Sequence, residues 1–401
     1  MIKFESFWNH ISDGVRRLFA IFLTLALCLG AAAQSRIWDY DADFESYFDN
    51  REFDYRHVNY STSMTINAAR LTPWVGLRIP QKDYVVHSLR LGADLRRNMG
   101  EQLPASSAIG ELLFYYNVDA RLRRGRISGT FGLYPRKMTE GEYSYAFMSD
   151  SLRFFDNNLE GMLMKWRSPR LYAEIGCDWM GMYGQGRRER FKIFSAGSWQ
   201  LQDGLSAGWA AVMYHYAGSV GQPGVVDNHL LNPYIRYDFS NSTSLDELSL
   251  KFGGLLSYQW DRLEDDACLP MGAEIEVDMR YRKLGLRNSL YVGDDLMPYY
   301  SRERYGTKYG SELYSGSPFY RGGRGYDRLE MYWEPQIAAW LRLNVSLVFH
   351  LMDEKQPFSG WQQKVSLIFD LDSYRHPEDS YQGRSHRSYQ KREYSGKKYS
   401  L

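Results

Sequence analysis

The sequence contains few cysteines, few prolines and almost no net charge. Among its 401 residues are 3 Cys and 13 Pro, and 49 Lys and Arg stand against 48 Asp and Glu, which gives a formal charge of +1. So few cysteines do not build a disulfide-rich scaffold, and the charge balance argues against a nucleic-acid partner. With 16% aromatic residues, the chain also differs in composition from a disordered protein.

Long hydrophobic runs are also missing, except near the N-terminus. Residues 1–33 contain adjacent arginines, the apolar run Leu18–Leu29 and then small alanines, which is typical of a cleaved secretory signal peptide. The run is too short for a membrane anchor of about 20 apolar residues, and Leu27 is too bulky before Cys28 for a lipoprotein signal. The predicted mature chain begins at Gln34. No later stretch reaches the about 18 apolar residues of a spanning helix, so the mature protein is either an exported soluble protein or a membrane β-barrel.

The sequence instead has a repeated alternation of apolar and polar residues. In Leu248–Trp260 leucines and aromatic residues alternate with small or polar ones, and from Glu274 to Arg282 every second residue is charged. This period of two indicates β-strands with one apolar face. Many of the runs are longer than the about five or six residues of soluble strands and match the about 9 to 11 residues of a tilted membrane strand. The alternation therefore favours a membrane barrel over a soluble sandwich.

The alternation predicts sixteen strands, and fourteen or eighteen are also compatible with it. The predicted strands are residues 57–67, 70–79, 84–96, 111–122, 127–134, 159–167, 171–180, 191–200, 205–216, 231–239, 248–260, 272–282, 285–293, 327–335, 339–350 and 361–371. Short connections alternate with long ones, as in outer-membrane barrels with short periplasmic turns and long extracellular loops. The predicted fold is all-β, a transmembrane antiparallel β-barrel over residues 57–371, although Pro73 interrupts the second strand.

Three further segments complete the predicted organisation. Residues 1–33 form the signal peptide and residues 34–56 a periplasmic N-terminal segment. Residues 372–401 are rich in basic residues, Tyr and Ser and lack an apolar period, which predicts a disordered periplasmic tail. An arm that binds peptidoglycan or a partner protein is the alternative for this tail.

Charged residues on the polar faces predict a water-filled lumen. Barrels of sixteen to eighteen strands leave an aqueous channel, whereas an Arg or Lys that faces lipid at mid-membrane costs about 2–4 kcal/mol. Their mixed signs predict weak ion selectivity. The predicted pore-lining residues are Arg90, Asp94, Arg96, Asp119, Arg121, Glu174, Arg236, Lys251, Glu274, Glu276, Asp278, Arg280, Arg282 and Arg342.

Two predicted extracellular loops carry side chains suited to a constriction. Residues 294–326 combine tyrosines, whose rings suit sugars, with cations that suit carboxylates or phosphates. A solvated surface loop is an equal alternative there, and residues 135–158 are the second candidate for narrowing the pore. The constriction candidates in the first loop are Arg302, Arg304, Tyr305, Tyr309, Arg321 and Arg324.

Several short segments form a recognisable set. They are Phe48–Phe53, Ser149–Phe154, Asn158–Gly161, Tyr214–Gly218, Val225–Asn228, Leu231–Tyr234, Leu296–Tyr299 and Ser317–Tyr320. Together they resemble uncharacterised outer-membrane barrels that are widespread in Bacteroidota, over most of residues 45–370. The resemblance implies an outer-membrane location but brings no agreed substrate or active site. A looser likeness to anion-selective porins rests on architecture alone.

These observations predict a porin-like channel for passive or weakly selective passage of small hydrophilic solutes, surrounded by outer-membrane lipid. A non-conducting binding or assembly protein that uses its loops or tail is the alternative. A barrel hydrolase that uses Asp294 and Asp295 is a third hypothesis, but the sequence has neither a Gly-x-Ser-x-Gly nor a His-Glu-x-x-His motif. The prediction is therefore no enzyme, and no cofactor or metal, since the 8 histidines lack ligand spacing.

Overall fold

The computed structural model describes residues 37–54, 61–82, 84–101, 109–301, 315–321, 324–338, 340–353 and 357–371. The predicted signal peptide and C-terminal tail lie outside the described residues, as do the constriction candidates Arg302, Arg304, Tyr305 and Tyr309.

In these ranges, eighteen β-strands form one antiparallel sheet. They are β1 (Trp38–Phe53), β2 (Met64–Gln81), β3 (Val85–Asn98), β4 (Ile109–Leu122), β5 (Gly125–Pro135), β6 (Asn158–Arg167), β7 (Leu171–Gly181), β8 (Arg190–Gln202), β9 (Leu205–Tyr216), β10 (Val226–Asp238), β11 (Glu247–Asp261), β12 (Asp266–Cys268), β13 (Met271–Tyr281), β14 (Leu284–Gly293), β15 (Gly325–Trp333), β16 (Gln336–Ala338), β17 (Leu341–Met352) and β18 (Phe358–Asp370). The short strands β12 and β16 only extend the connections beside them, so sixteen strands form the wall. β1 pairs with β2 on one side and with β18 on the other, which closes the barrel and confirms the predicted fold.

The helical segments of the described residues are short and lie in the connections between strands. They are α1 (Asp150–Phe155), α2 (Pro298–Ser301) and 3-10 turns at Arg136–Met138, Ser240–Ser242 and Pro318–Arg321. Within the described ranges, no helix has the length and apolar character needed to cross a membrane.

The wall strands turn their apolar faces outwards. In β11, Leu250 and Phe252 are 43% and 58% exposed, whereas Ser249 and Lys251 are 1% and 2% exposed. Closure of the sheet satisfies the backbone hydrogen bonds of every wall strand without leaving an edge, which is the condition for β-strands in a lipid bilayer. The exposed apolar band is the surface that lipid covers, and the protein is an outer-membrane β-barrel.

The two ends of the barrel have connections of different length. At one end, residues 123–124 join β4 to β5 and residues 282–283 join β13 to β14. At the other end, residues 136–157 join β5 to β6 and residues 294–324 join β14 to β15. We call these the short-turn end and the long-loop end.

The N-terminal part of the barrel differs from the predicted boundaries. β1 lies within residues 34–56, which the sequence predicts to be periplasmic, and the strands predicted at 57–67 and 70–79 are replaced by the single strand β2. Pro73 lies inside β2 because the β2–β3 ladder is interrupted there: Leu71 pairs with Leu95, and pairing resumes at Trp74 with Gly92. A proline has no N–H to donate, so an interruption in the ladder accommodates it.

Candidate functional site

The connection between β5 and β6 folds into the barrel. These residues, 136–157, are called the inner loop below; they include a 3-10 turn and α1. Ala146 and Phe147 of the inner loop are 0% and 1% exposed, and they belong to one buried cluster with Leu163 of β6 and Phe194 of β8. Side chains on the inward faces of the wall thus enclose the middle of the inner loop. This connection is the second of the two loops that the sequence predicts to narrow the pore.

An ion pair fixes the first half of the inner loop to the wall. Arg236 of β10 holds Glu142 through both of its terminal nitrogens, one of them 2.6 Å from Glu142 Oε2. Lys251 Nζ lies 4.0 Å from Glu142 and 3.4 Å from Glu276. Burial raises the pKa of the Glu142 carboxyl, but Arg236 and Lys251 outweigh this effect and leave the pKa below its ordinary value. Glu142 is therefore a charged anchor at neutral pH.

A second ion pair fixes α1 to the opposite part of the wall. Asp150 Oδ2 accepts hydrogen bonds from Arg328 Nη2 of β15 at 2.7 Å and from Lys364 Nζ of β18 at 3.0 Å. Glu330 lies 3.1 Å from Arg328 and 3.4 Å from Lys364, so the two cations face two carboxylates. Burial favours the neutral Asp150 carboxyl, but Lys364 and Arg328 hold its pKa well below the ordinary value.

Glu174 of β7 anchors the start of the loop through hydrogen bonds. Its carboxylate accepts from the backbone N–H groups of Glu140 and Gly141, each at 2.8 Å, and from the Tyr143 hydroxyl at 2.9 Å. A Cβ at position 141 would lie 2.3 Å from Glu174 Oε1, so this close approach requires glycine. On the next part of the wall, Ser144 Oγ donates to Glu274 Oε1 at 3.1 Å.

The described parts of the connection 294–324 pack onto the inner loop. The Tyr320 hydroxyl donates to Glu274 Oε1 at 2.6 Å, and the backbone N–H of Ser317 donates to the Tyr145 carbonyl at 2.7 Å. Of the constriction candidates in this connection, Arg321 is buried and Arg324 is exposed. Both long connections therefore contribute to the filling of the lumen, and they share Glu274 as an acceptor.

The predicted pore-lining residues fall into three groups. The exposed members are Arg121 and Arg282, beside turns at the short-turn end. The buried members are Asp94, Glu174, Lys251, Glu274, Glu276 and Asp278, and the partly buried members are Arg90, Arg96, Asp119, Arg236, Arg280 and Arg342. The members that contact the inner loop are Arg96, Glu174, Arg236, Lys251 and Glu274. That the set lines a conducting pore stays a prediction.

A cavity remains between the inner loop and one part of the wall. Its volume is about 190 Å³, and the wall strands around it are β1, β2, β14, β15, β17 and β18, together with Pro135 at the end of β5. We call it the luminal cavity. Of the residues that line the cavity, only Arg342 belongs to the predicted pore-lining set. Glu45, Arg70 and Arg287 also line the cavity and are not in that set. Glu45 and Arg70 were missed because β1 and β2 were placed incorrectly; the alternating acidic residues from Asp39 to Glu45 were the signal that identifies β1.

Other carboxylates near the ends of the barrel have structural roles. Asp294 Oδ2 accepts from the backbone N–H of Met271 at 3.1 Å, and Asp295 Oδ1 accepts from that of Met297 at 2.8 Å. These are the residues of the hydrolase hypothesis, and in the structure they hold backbone at the start of β13 and in the connection after β14. Oxygen atoms of Asp41, Asp43 and Asp370 lie within 4.8 Å of one another, close enough for a cation. Asp43 also pairs with Lys137 of the inner loop, which compensates its charge.

Comparisons with known proteins find solved structures of low similarity. No protein-family model matches the chain, and no curated protein matches its sequence. The chain is similar to OprB of Pseudomonas putida (11% identity, 83% of this chain, 94% of that chain, TM-score 0.49), to a loop-deletion mutant of OmpT, an outer membrane protein of Vibrio cholerae (12%, 83%, 98%, 0.46), and to OmpF of Salmonella typhi in complex with daunomycin (10%, 83%, 97%, 0.47). The resemblance to barrels of Bacteroidota stays a prediction, and the fold rests on the strand pairing of the chain itself.

Proposed function

We propose that the protein is a porin-type channel through which small hydrophilic solutes pass the outer membrane by diffusion. The observation that carries the proposal is the luminal cavity, bordered by charged side chains between the inner loop and the wall. A barrel of sixteen strands is wide enough for an aqueous path, and a loop held inside by side-chain contacts narrows this path without needing to close it. The inner loop would then set the size limit for solutes.

The charges support weak selectivity between ions. The anions Glu142 and Asp150 on the inner loop pair with the wall cations Arg236, Arg328 and Lys364 at contact distance. Pairs of opposite charge cancel most of the field that a passing ion feels beyond a few ångströms. A channel lined in this way discriminates by size more than by charge.

Recordings with the full-length protein in planar lipid bilayers test this function. We expect stepwise increases in current and a reversal potential close to zero in a salt gradient. A preparation that is folded, as judged by its heat-dependent mobility in gels, and that never produces current steps would contradict the channel. Deletion of residues 373–401 is the matched control, since the channel should conduct equally well without the tail.

A non-conducting binding or assembly protein is the second candidate, and one observation favours it. Apolar residues of both long connections, Phe147 and Phe319 among them, form a buried cluster within the barrel. A lumen filled in this way resembles a plugged barrel more than an open one. In that case the intact protein gives no current and only a variant without the inner loop conducts.

A further inference from the structure

The luminal cavity combines polar groups with aromatic rings. Tyr47, Tyr143 and Tyr145 border it, together with charged residues of the wall. Tyr47 stacks on Phe154 of α1 with ring centroids 4.8 Å apart, and the Arg70 guanidinium lies 4.7 Å from the centroid of the same ring. Its volume of about 190 Å³ lies below the roughly 300–1,000 Å³ of pockets for drug-sized ligands, so the cavity suits a smaller solute.

Many of the fixed charges around the cavity are already paired. Arg70 Nε lies 2.9 Å from Asp94 Oδ1, and Lys364 Nζ lies 3.0 Å from Asp150 Oδ2. Arg287 Nη1 lies 3.6 Å from a Glu330 oxygen. A charged solute would lose its hydration on entry, and many of the charges it meets are already neutralised by their partners. The electrostatics therefore disfavour strongly anionic and strongly cationic solutes.

What the cavity offers beyond its ion pairs is unused hydrogen-bonding capacity. Arg70 and Arg287 are each 4% exposed, yet Arg70 Nη1 and Arg287 Nη2 have no hydrogen-bond partner among the described residues. Glu45 lies directly opposite Arg70 in the pairing of β1 with β2 and also borders the cavity. A hydroxyl group can accept from a guanidinium N–H and donate to a carboxylate, so adjacent Arg70 and Glu45 suit an alcohol.

We propose that the luminal cavity is a binding site for a small, neutral, polyhydroxylated solute of the size of a monosaccharide. Hydroxyls of the solute bond to Arg70, Arg287 and Glu45, and its C–H face packs on the tyrosine rings. This binding site depends on the proposed channel function in one respect: the channel is the route by which the solute reaches the cavity. Neutral polyols satisfy the open donors without adding a charge to a set of paired charges.

Calorimetric titration of D-glucose into the full-length protein tests the site. The protein is held in amine-oxide micelles, which carry no sugar head group, so the assay does not depend on conduction. We expect saturable binding of D-glucose and weaker binding of D-glucuronate and D-glucosamine, which share the ring but carry a charge. Glu45→Gln should bind D-glucose about fivefold more weakly, because a hydrogen bond to a charged acceptor becomes one to a neutral acceptor.

Glu160→Gln is the matched control, since Glu160 is exposed and does not border the cavity. Its binding of D-glucose should equal that of the unaltered protein. No saturable binding of D-glucose, or tighter binding of either charged analogue, overturns the proposal. The comparison of D-glucose with its two charged analogues uses the unaltered protein, so it tests the proposal even when Glu45→Gln does not fold. If the protein produces current steps but does not bind D-glucose, the binding site is wrong and the channel stands. If it binds D-glucose but produces no current steps, the channel is wrong and the binding site stands.

Discussion

The two flanks of the inner loop are held in different ways. Towards β6–β11, apolar side chains such as Phe147 and Phe194 pack together, and the Glu142 side chain is only 12% exposed. Towards β15 and β18, α1 is held by the ion pairs of Asp150, whose side chain is 37% exposed, and the luminal cavity lies beside it. We call these the packed flank and the charged flank. Space remains in the lumen on the charged flank, although Phe154 of α1 also stacks on Tyr47 of β1 there.

This difference has a physical reason. Apolar contacts stabilise only when surfaces meet and exclude water, so packing fills the space it uses. Long cationic side chains such as Arg328 and Lys364 instead reach across a gap to Asp150 and leave room beside them. A barrel that keeps a solute path beside an inner loop therefore benefits from holding that loop by charges on one flank.

Removal of the inner loop should have the largest effect, because it abolishes both flanks. Replacement of residues 139–155 by a short Gly-Ser turn should raise the single-channel conductance several-fold, since the lumen of a sixteen-stranded barrel is wide once it is unfilled. Single-channel recording measures this effect. Shortening the connection 182–189 between β7 and β8 is the control, and equal conductance in both variants would show that the inner loop does not narrow the path.

Alanine substitutions should separate the two flanks by their effect on stability. Glu142→Ala leaves the largely buried Arg236 guanidinium without its carboxylate, whereas Lys251 keeps Glu276, and should cost about 3–5 kcal/mol. Asp150→Ala should cost only about 1 kcal/mol, because its pair is more exposed and Glu330 still compensates both cations. Thermal unfolding in detergent measures the difference. An equal loss of stability in both variants would remove the distinction between a packed and a charged flank.

Most of the wall was predictable from the sequence because lipid imposes a simple rule on it. From Glu274 to Arg282 every second residue is charged, and the structure places a strand over Met271–Tyr281 within two residues of the predicted limits. The rule failed at the start of the chain, where β1 has the small or polar residues Ala42, Ser46 and Asn50 on its outward face. Such a dilute apolar face predicts no strand, and the predicted count reaches sixteen only because two predicted strands replace the single strand β2.

The site was less predictable than the wall, because contacts between distant segments determine it. Asp150 meets Lys364 across 214 positions of the chain, and Glu142 meets Arg236 across 94. Period-two patterns report which way a strand residue points but not which loop residue it meets. The sequence identified the inner loop as charged and long enough to enter the lumen, but it could not show which wall cations receive Glu142 and Asp150.

The charged flank should also make the stability of the protein depend on acid. The pKa of Asp150 in the folded protein lies below its ordinary value, so the unfolded chain takes up the proton first as the pH falls. The stabilisation is therefore complete above about pH 5 and is lost progressively below about pH 4. The unfolding temperature should stay nearly constant from neutral pH to about pH 5 and fall below that. Asp150→Asn should show a shallower fall, and an identical pH profile in both proteins would contradict the role of this pair.

Chemical labelling of β1 should change the stability of the protein least. It is also the sharpest test of where the wall of the cavity lies. In a protein with Cys177 and Cys268 replaced by Ser, Phe44→Cys and Glu45→Cys place thiols on opposite faces of one strand. A lipid-soluble maleimide should label position 44, whereas a small charged thiosulfonate should label position 45 from the luminal side, each with little change in stability. Labelling of both positions by the charged reagent would mean that the segment is periplasmic after all. Glu45 would then be lost from the luminal cavity, and the charged flank would have no wall between β18 and β2.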